Sequence, residues 1–212
     1  MKHLLAQAPT ETPVTIAEAK DHCKVDGTDE DAWFTRAVST ASSMCEEICE
    51  RAFCTQQWRL SLDAFPNSSG RAGSCCCEID GVPVSSGSKI LLPRARATSI
   101  VEVKYYDASG TLQTMDPADY QLDDQAEPGE LLPAPGGSWP STQSGRVNAV
   151  QIVYECGYGT AAEVDGRAKQ AVLFLVAHWH LNREAVLIGT ISKDMELSLG
   201  ALLAQLWHGR MW

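Results

Sequence analysis

The chain has 212 residues, with 17 Lys plus Arg against 27 Asp plus Glu and a formal net charge of −10. Charged residues make up 21% and apolar residues 44%, a globular composition and not that of a disordered tail. So acidic a chain is a poor candidate for gripping nucleic acid, which needs clustered Lys and Arg, and no run approaches the roughly 18 apolar residues of a membrane span. Residues Met1 to Thr10 are too weakly patterned for a signal peptide. Without an export signal, the eight Cys are expected to be reduced thiols of a cytosolic protein.

In chain order, Pro13 breaks the chain and Thr15 with Glu18 forms a capping box, predicting a helix to about Lys24 that stops at Val25-Asp26-Gly27. Thr28 or Asp29 then caps a second helix. In it Trp33, Phe34, Ala37, Val38, Ala41, Met44, Cys45, Ile48 and Cys49 recur at spacings of three and four, to an end near Arg51. From Cys54 the period changes to two, and Trp58, Leu60 and Leu62 mark a half-buried strand. Phe65 to Gly70 is a loop by composition. Short strands follow at Lys89–Pro93 and Ile100–Tyr106, and Asp107-Ala108-Ser109-Gly110 turns the chain into Thr111–Gln113. Further strands are predicted at Tyr120–Leu122, Glu130–Leu132 and Val150–Tyr154, with a Pro/Gly/Ser loop around Trp139. Ala168–Leu181 returns to helical spacing behind an Asp165 or Gly166 cap. A polar bend follows at Asn182-Arg183-Glu184, and Leu197–Trp207 makes a last amphipathic helix.

The fold class expected is α+β: a helical core from residues 1–53 and 157–212, with an antiparallel β-rich subdomain from 54 to 156 inserted into it.

Chemistry-bearing motifs are sparse. His178 and His180 flank Trp179 at a spacing that turns the two rings apart, against the four-residue spacing of a helical metal pair. Cys45 and Cys49 share a helix face, but a second zinc pair would have to come from Cys75-Cys76-Cys77, where neighbouring side chains point opposite ways. No nucleophile elbow, P-loop or dinucleotide fingerprint is present, and Asp26, Asp29, Glu30 and Asp31 are better explained as helix-start acids than as a calcium loop. No catalytic residue, metal site or cofactor is expected. The chain end is distinctive. Leu202, Leu203, Leu206, Trp207, Met211 and Trp212 are apolar where termini are usually polar, so something must cover them. That cover is either the protein's own core or a partner, since Trp and Met are enriched at interfaces.

Several segments, in order, resemble the head–tail connector (adaptor) proteins of tailed bacteriophages. They are Pro13–Lys20 with Val25-Asp26-Gly27 and Asp29-Glu30-Asp31, then Thr55-Gln56-Gln57-Trp58, Asp116–Tyr120, Tyr154 to Thr160, and Lys169-Gln170-Ala171 through His178-Trp179 to Asn182-Arg183-Glu184. The likeness runs from about residue 10 to 206. It implies a non-enzymatic structural protein of the virion neck, assembled in the host cytoplasm. It implies a ring, generally of twelve copies, beneath the portal protein, bridging it to the next neck or tail component while DNA passes through without specific binding. It also suggests that Leu202, Leu203, Leu206, Trp207, Met211 and Trp212 dock on the portal. The chain departs from that pattern in its Cys content, and a second reading stays open: a zinc-binding module or enzyme using Cys45, Cys49, Cys54, Cys75–Cys77 and His178.

Overall fold

The computed structural model describes residues 2–66, 78–79, 82–83, 85–86, 88–182 and 193–207; Cys75–Cys77, Arg183, Glu184, Met211, Trp212 and most of the loop that begins at Phe65 lie outside them. The fold is α+β, and the chain divides into two compact units: residues 1–8 with 56–157, and residues 9–55 with 158–212. Among the described residues no helix is long and apolar enough to cross a membrane.

The second unit is helical. Helix α1 (Ile16–Cys23) begins at Thr15, whose Oγ1 accepts the Glu18 N–H while the Glu18 carboxylate accepts the Thr15 N–H at 2.7 Å. That reciprocal pair is the capping box the sequence predicts, and it fixes where the helix starts. Lys24 closes it in a left-handed conformation, its N–H bonding back to Asp21 and Lys20 carbonyls. Removing the cap by Thr15→Ala is expected to cost about 1 kcal/mol of this unit's stability, read by chemical denaturation.

Helix α2 (Asp31–Cys49) starts later than predicted: its N-cap is Glu30 with no side-chain cap, and the Thr28 carbonyl accepts the Asp31 N–H at 3.2 Å. Its buried face is Phe34, Ala37, Val38, Ala41, Ser42, Cys45 and Cys49. Met44 and Ile48, which the spacing places in the apolar stripe, are exposed instead. The buried stripe is narrower than the apolar one because the neighbouring helices cover one side of α2 and do not reach Met44 and Ile48. Helix α3 (Gly166–Leu181) is capped by Asp165, whose Oδ1 accepts the Arg167 N–H at 2.8 Å. It contributes Ala168, Ala171, Val172, Leu175 and Val176 to the same core. Helix α4 (Lys193–Leu206) begins four residues before the predicted Leu197 and completes the core with Leu203 and Leu206.

The first unit is two antiparallel sheets and a short hairpin. The five-stranded sheet runs β1 (Lys2–Gln7), β2 (Gln56–Leu62), β11 (Val150–Cys156), β7 (Ala97–Tyr106) and β8 (Leu112–Thr114). Its core row is Leu60 opposite Ile152 opposite Val103, all fully buried. The four-stranded sheet runs β5 (Ser85–Ser86), β6 (Lys89–Leu91), β10 (Glu130–Pro133) and β9 (Tyr120–Asp123), and buries Ile90, Leu91 and Leu131. The hairpin is β3 (Glu78–Ile79) with β4 (Val82–Pro83). The turn after β7 is held by Asp107, whose carboxylate accepts from the Ser109 and Thr111 N–H groups and from the Gln113 amide. The loop around Trp139 is anchored by its indole, stacked on Phe65 at 4.8 Å and donating to the Ser88 carbonyl.

The principal departure from the sequence reading is β1. Residues 1–8 carry no helical or clear strand pattern, yet Lys2–Gln7 pairs with β2, with His3 opposite Leu60 and Leu5 opposite Trp58. The N-terminus therefore belongs with the β unit and not with the helices. Edge strands bury little, so their side chains need not alternate, and the periodicity that betrays a strand is absent.

Candidate functional site

Among the described residues no three or more His, Cys, Asp or Glu side chains are placed to hold a metal ion. Cys45 and Cys49 lie inside the helical core, where burial pushes the Cys45 thiol up to about 12 and the Cys49 thiol to about 11. Burial raises Cys54 to about 11 as well. Thiols so high stay protonated at neutral pH, and it is the thiolate that attacks or ligates. His178 is half-buried and its Nδ1 stands 3.4 Å from the Asn182 amide. His180 faces elsewhere, with Nε2 2.9 Å from Glu30 and its ring stacked on Phe34 at 5.4 Å. Both histidines hold helix ends in place. Of the seven residues of the zinc alternative, Cys75–Cys77 lie outside the described residues, and Cys45, Cys49, Cys54 and His178 form no metal-holding group among the described ones.

The apolar carboxy-terminal segment is divided by α4. Leu203 and Leu206 point into the helical core and are at most 3% exposed, and Leu202 packs at its margin. Trp207, one position past the helix, is 42% exposed. Leu206 and Trp207 are adjacent, but the helix turns about 100° per residue, so one is core and the other surface. The helix end is bound tightly to its own unit. Arg51 is buried; its Nε donates to the Leu206 carbonyl at 3.1 Å and its Nη1 to the Tyr158 hydroxyl at 3.0 Å. The Trp207 N–H and the Cys49 thiol both reach the Leu203 carbonyl. The Leu206 carbonyl, which the helix end leaves without an internal partner, is thus satisfied, and the guanidinium lies where the helix dipole favours positive charge. Arg167 adds a tie from the start of α3, its Nη1 donating to Gln205 on α4. Its salt bridge also holds Asp165 down to about 2.

Other large apolar side chains are exposed on the helical unit. They are Ile16 on α1, Met44 and Ile48 on α2, and Leu181 at the end of α3, the last 83% exposed. The sequence shows the apolar residues but not which ones the core leaves over. Arg51 as the anchor of α4 was missed because its partner lies 155 residues away.

No protein-family model matches the chain, and no curated protein matches it. Solved structures do. A chain in the neck of an empty gene transfer agent (GTA) particle computed with C6 symmetry aligns with TM-score 0.75 at 20% identity, covering 100% of this chain and 98% of that one. A chain in the virion of a native gene transfer agent particle aligns with TM-score 0.73 at 21% identity, over the same shares. One in the neck of a native particle computed with C12 symmetry gives TM-score 0.68 at 20% identity, again over 100% and 98%. The chain shares the fold of these particle components along its whole length.

Proposed function

We propose that the protein is a structural component of a virion-like neck, a head–tail connector that forms a ring beneath the portal and joins it to the next neck or tail component. The observation that carries this reading is the whole-chain likeness to a chain of a particle neck, at 100% of this chain and 98% of that one. A shared fold by itself does not fix a role, so the whole-chain match, with no unmatched domain on either side, supports this reading by analogy. Two of the structures that share this fold are necks computed with C6 and C12 symmetry, and a closed ring of twelve copies is the arrangement proposed here.

Physical chemistry agrees. A ring around a DNA passage must not hold the genome, and a charge of −10 on each copy makes the assembly repel phosphate. Residues 107–127 carry Asp107, Asp116, Asp119, Asp123, Asp124 and Glu127 and no Lys or Arg, so the repulsion is locally concentrated. The exposed apolar side chains Met44, Ile48, Leu181 and Trp207 are the kind of surface that an assembly role uses. In this reading Trp207 and Leu202 contact the portal, and Leu203 and Leu206 position them from within the core. Met211 and Trp212 continue the same apolar segment outside the described residues.

The test is to mix the purified protein with the portal ring of its parent particle and to image the product. A ring of this protein, seated on the portal and sharing its axis, is the expected result. Absence of association, together with neck-complete particles that lack the protein, would overturn the proposal. A monomer in solution by itself is compatible with it, because the portal supplies the template.

A further inference from the structure

Strand β1 is an edge strand of its sheet: only β2 pairs with it, and Leu4, Leu5, Ala6 and Gln7 are exposed. One side chain ties it inward. The His3 ring stacks on Trp58 with centroids 4.4 Å apart and planes 18° from parallel, and its Nε2 lies 2.9 Å from the Tyr154 hydroxyl. Tyr154 is fully buried on β11, and its oxygen also accepts the Arg94 N–H at 3.1 Å. The Arg94 guanidinium lies over the same Trp58 ring, 4.5 Å from its centroid. The Trp58 indole N–H is buried with no hydrogen-bond partner among the described residues, so stacking is what holds the ring.

We propose that His3 is an acid-released latch: protonating its imidazole undocks β1 and bares the edge of β2, while the rest of the five-stranded sheet stays paired. The chemistry is local. A hydroxyl that already accepts one N–H is best placed to donate to an unprotonated Nε2, so the docked ring is neutral. A second positive charge on Trp58, beside Arg94 and away from water, is strongly disfavoured. Among the described residues the groups facing His3 are Trp58 and Leu60 from β2, Tyr154 from β11 and Arg94 from the segment after β6; burial first and the Arg94 charge second set its proton affinity.

Together they push the ring from its ordinary value near 6.5 down to about 3. The docked value is the lower one, so the undocked strand binds more protons between them. Docking is at full strength above about pH 6.5 and weakens as pH falls toward 3, reaching the undocked state preferentially under acid. Release stays local because β2, β11 and β7 keep their own ladders and a buried core row.

Hydrogen–deuterium exchange of the whole protein at pH 7.0, 5.5 and 4.5 tests this, with rates corrected for the intrinsic pH dependence. The β1 amides should lose protection by roughly tenfold for each pH unit below about 6, while β7 and β11 amides keep theirs. In His3→Gln, which retains a hydrogen-bonding side chain but does not titrate, the β1 protection should lose that pH slope whatever its absolute level. Equal slopes in the two proteins would overturn the proposal. So would simultaneous loss of protection across β1, β7 and β11, which would make the transition one of the whole sheet.

Discussion

Leu206→Ala is expected to lower the stability of the helical unit by about 3 kcal/mol, within the range of roughly 2–5 for emptying a buried leucine site. Trp207→Ala, at the next position, is expected to change it by no more than about 0.5 kcal/mol, as surface substitutions do. The contrast follows from exposure: Leu206 is 1% exposed in a core shared by α2, α3 and α4, and Trp207 is 42% exposed. Differential melting of the two variants reads this directly, a loss of about 3 kcal/mol corresponding to more than about 10 °C for a unit of this size. Portal attachment should run the other way. Trp207→Ala stays folded and attaches weakly, whereas the folded fraction of Leu206→Ala attaches normally. Equal melting losses in the two variants would place Trp207 in the fold and remove it from the proposed interface.

Arg51→Met should destabilise the same unit by about 3 kcal/mol, although it replaces a charge by an apolar side chain of similar length. Arg51 is only 4% exposed, and it donates to the Leu206 carbonyl and the Tyr158 hydroxyl at once. Its loss removes two hydrogen bonds from a charged donor, at about 1.5–3 kcal/mol each and so about 3–6 kcal/mol together. Methionine recovers part of the apolar contact, which keeps the total near the lower end of that sum. Because Arg51 and Leu206 hold the same helix end, the double variant should lose about 1 kcal/mol less than the two single losses together, a coupling typical of residues in contact. Additive losses would show that the guanidinium and the Leu206 side chain stabilise α4 independently.

The candidate site was half legible. The apolar chain end is visible as Leu202, Leu203, Leu206 and Trp207, and so is the need for a cover over it. Its division into core and surface is not, because apolar side chains occupy both flanks of α4 and only the positions of α2 and α3 select a face. The same holds for Met44 and Ile48. They fit the helical spacing of α2 as well as Cys45 and Cys49 do, and the neighbouring helices simply do not reach them.

What the amino-acid order determined by itself is what short-range physics controls. Thr15 and Glu18 set the start of α1, Asp165 the start of α3, and Asp107 the turn after β7. The change from a helical period to alternation at β2, and back at α3, fixed the α+β class, since each signal lies within a few residues of the element it defines. What only the tertiary structure decided depends on partners far along the chain: β1 on β2, His3 on Tyr154 at 151 residues' separation, and Arg51 on Leu206 at 155. An edge strand with little to bury, a neutral imidazole under a tyrosine hydroxyl and a guanidinium on a helix end leave no local pattern, because the free energy that selects them comes from desolvation and pairing that exist only once the two units have closed around their cores.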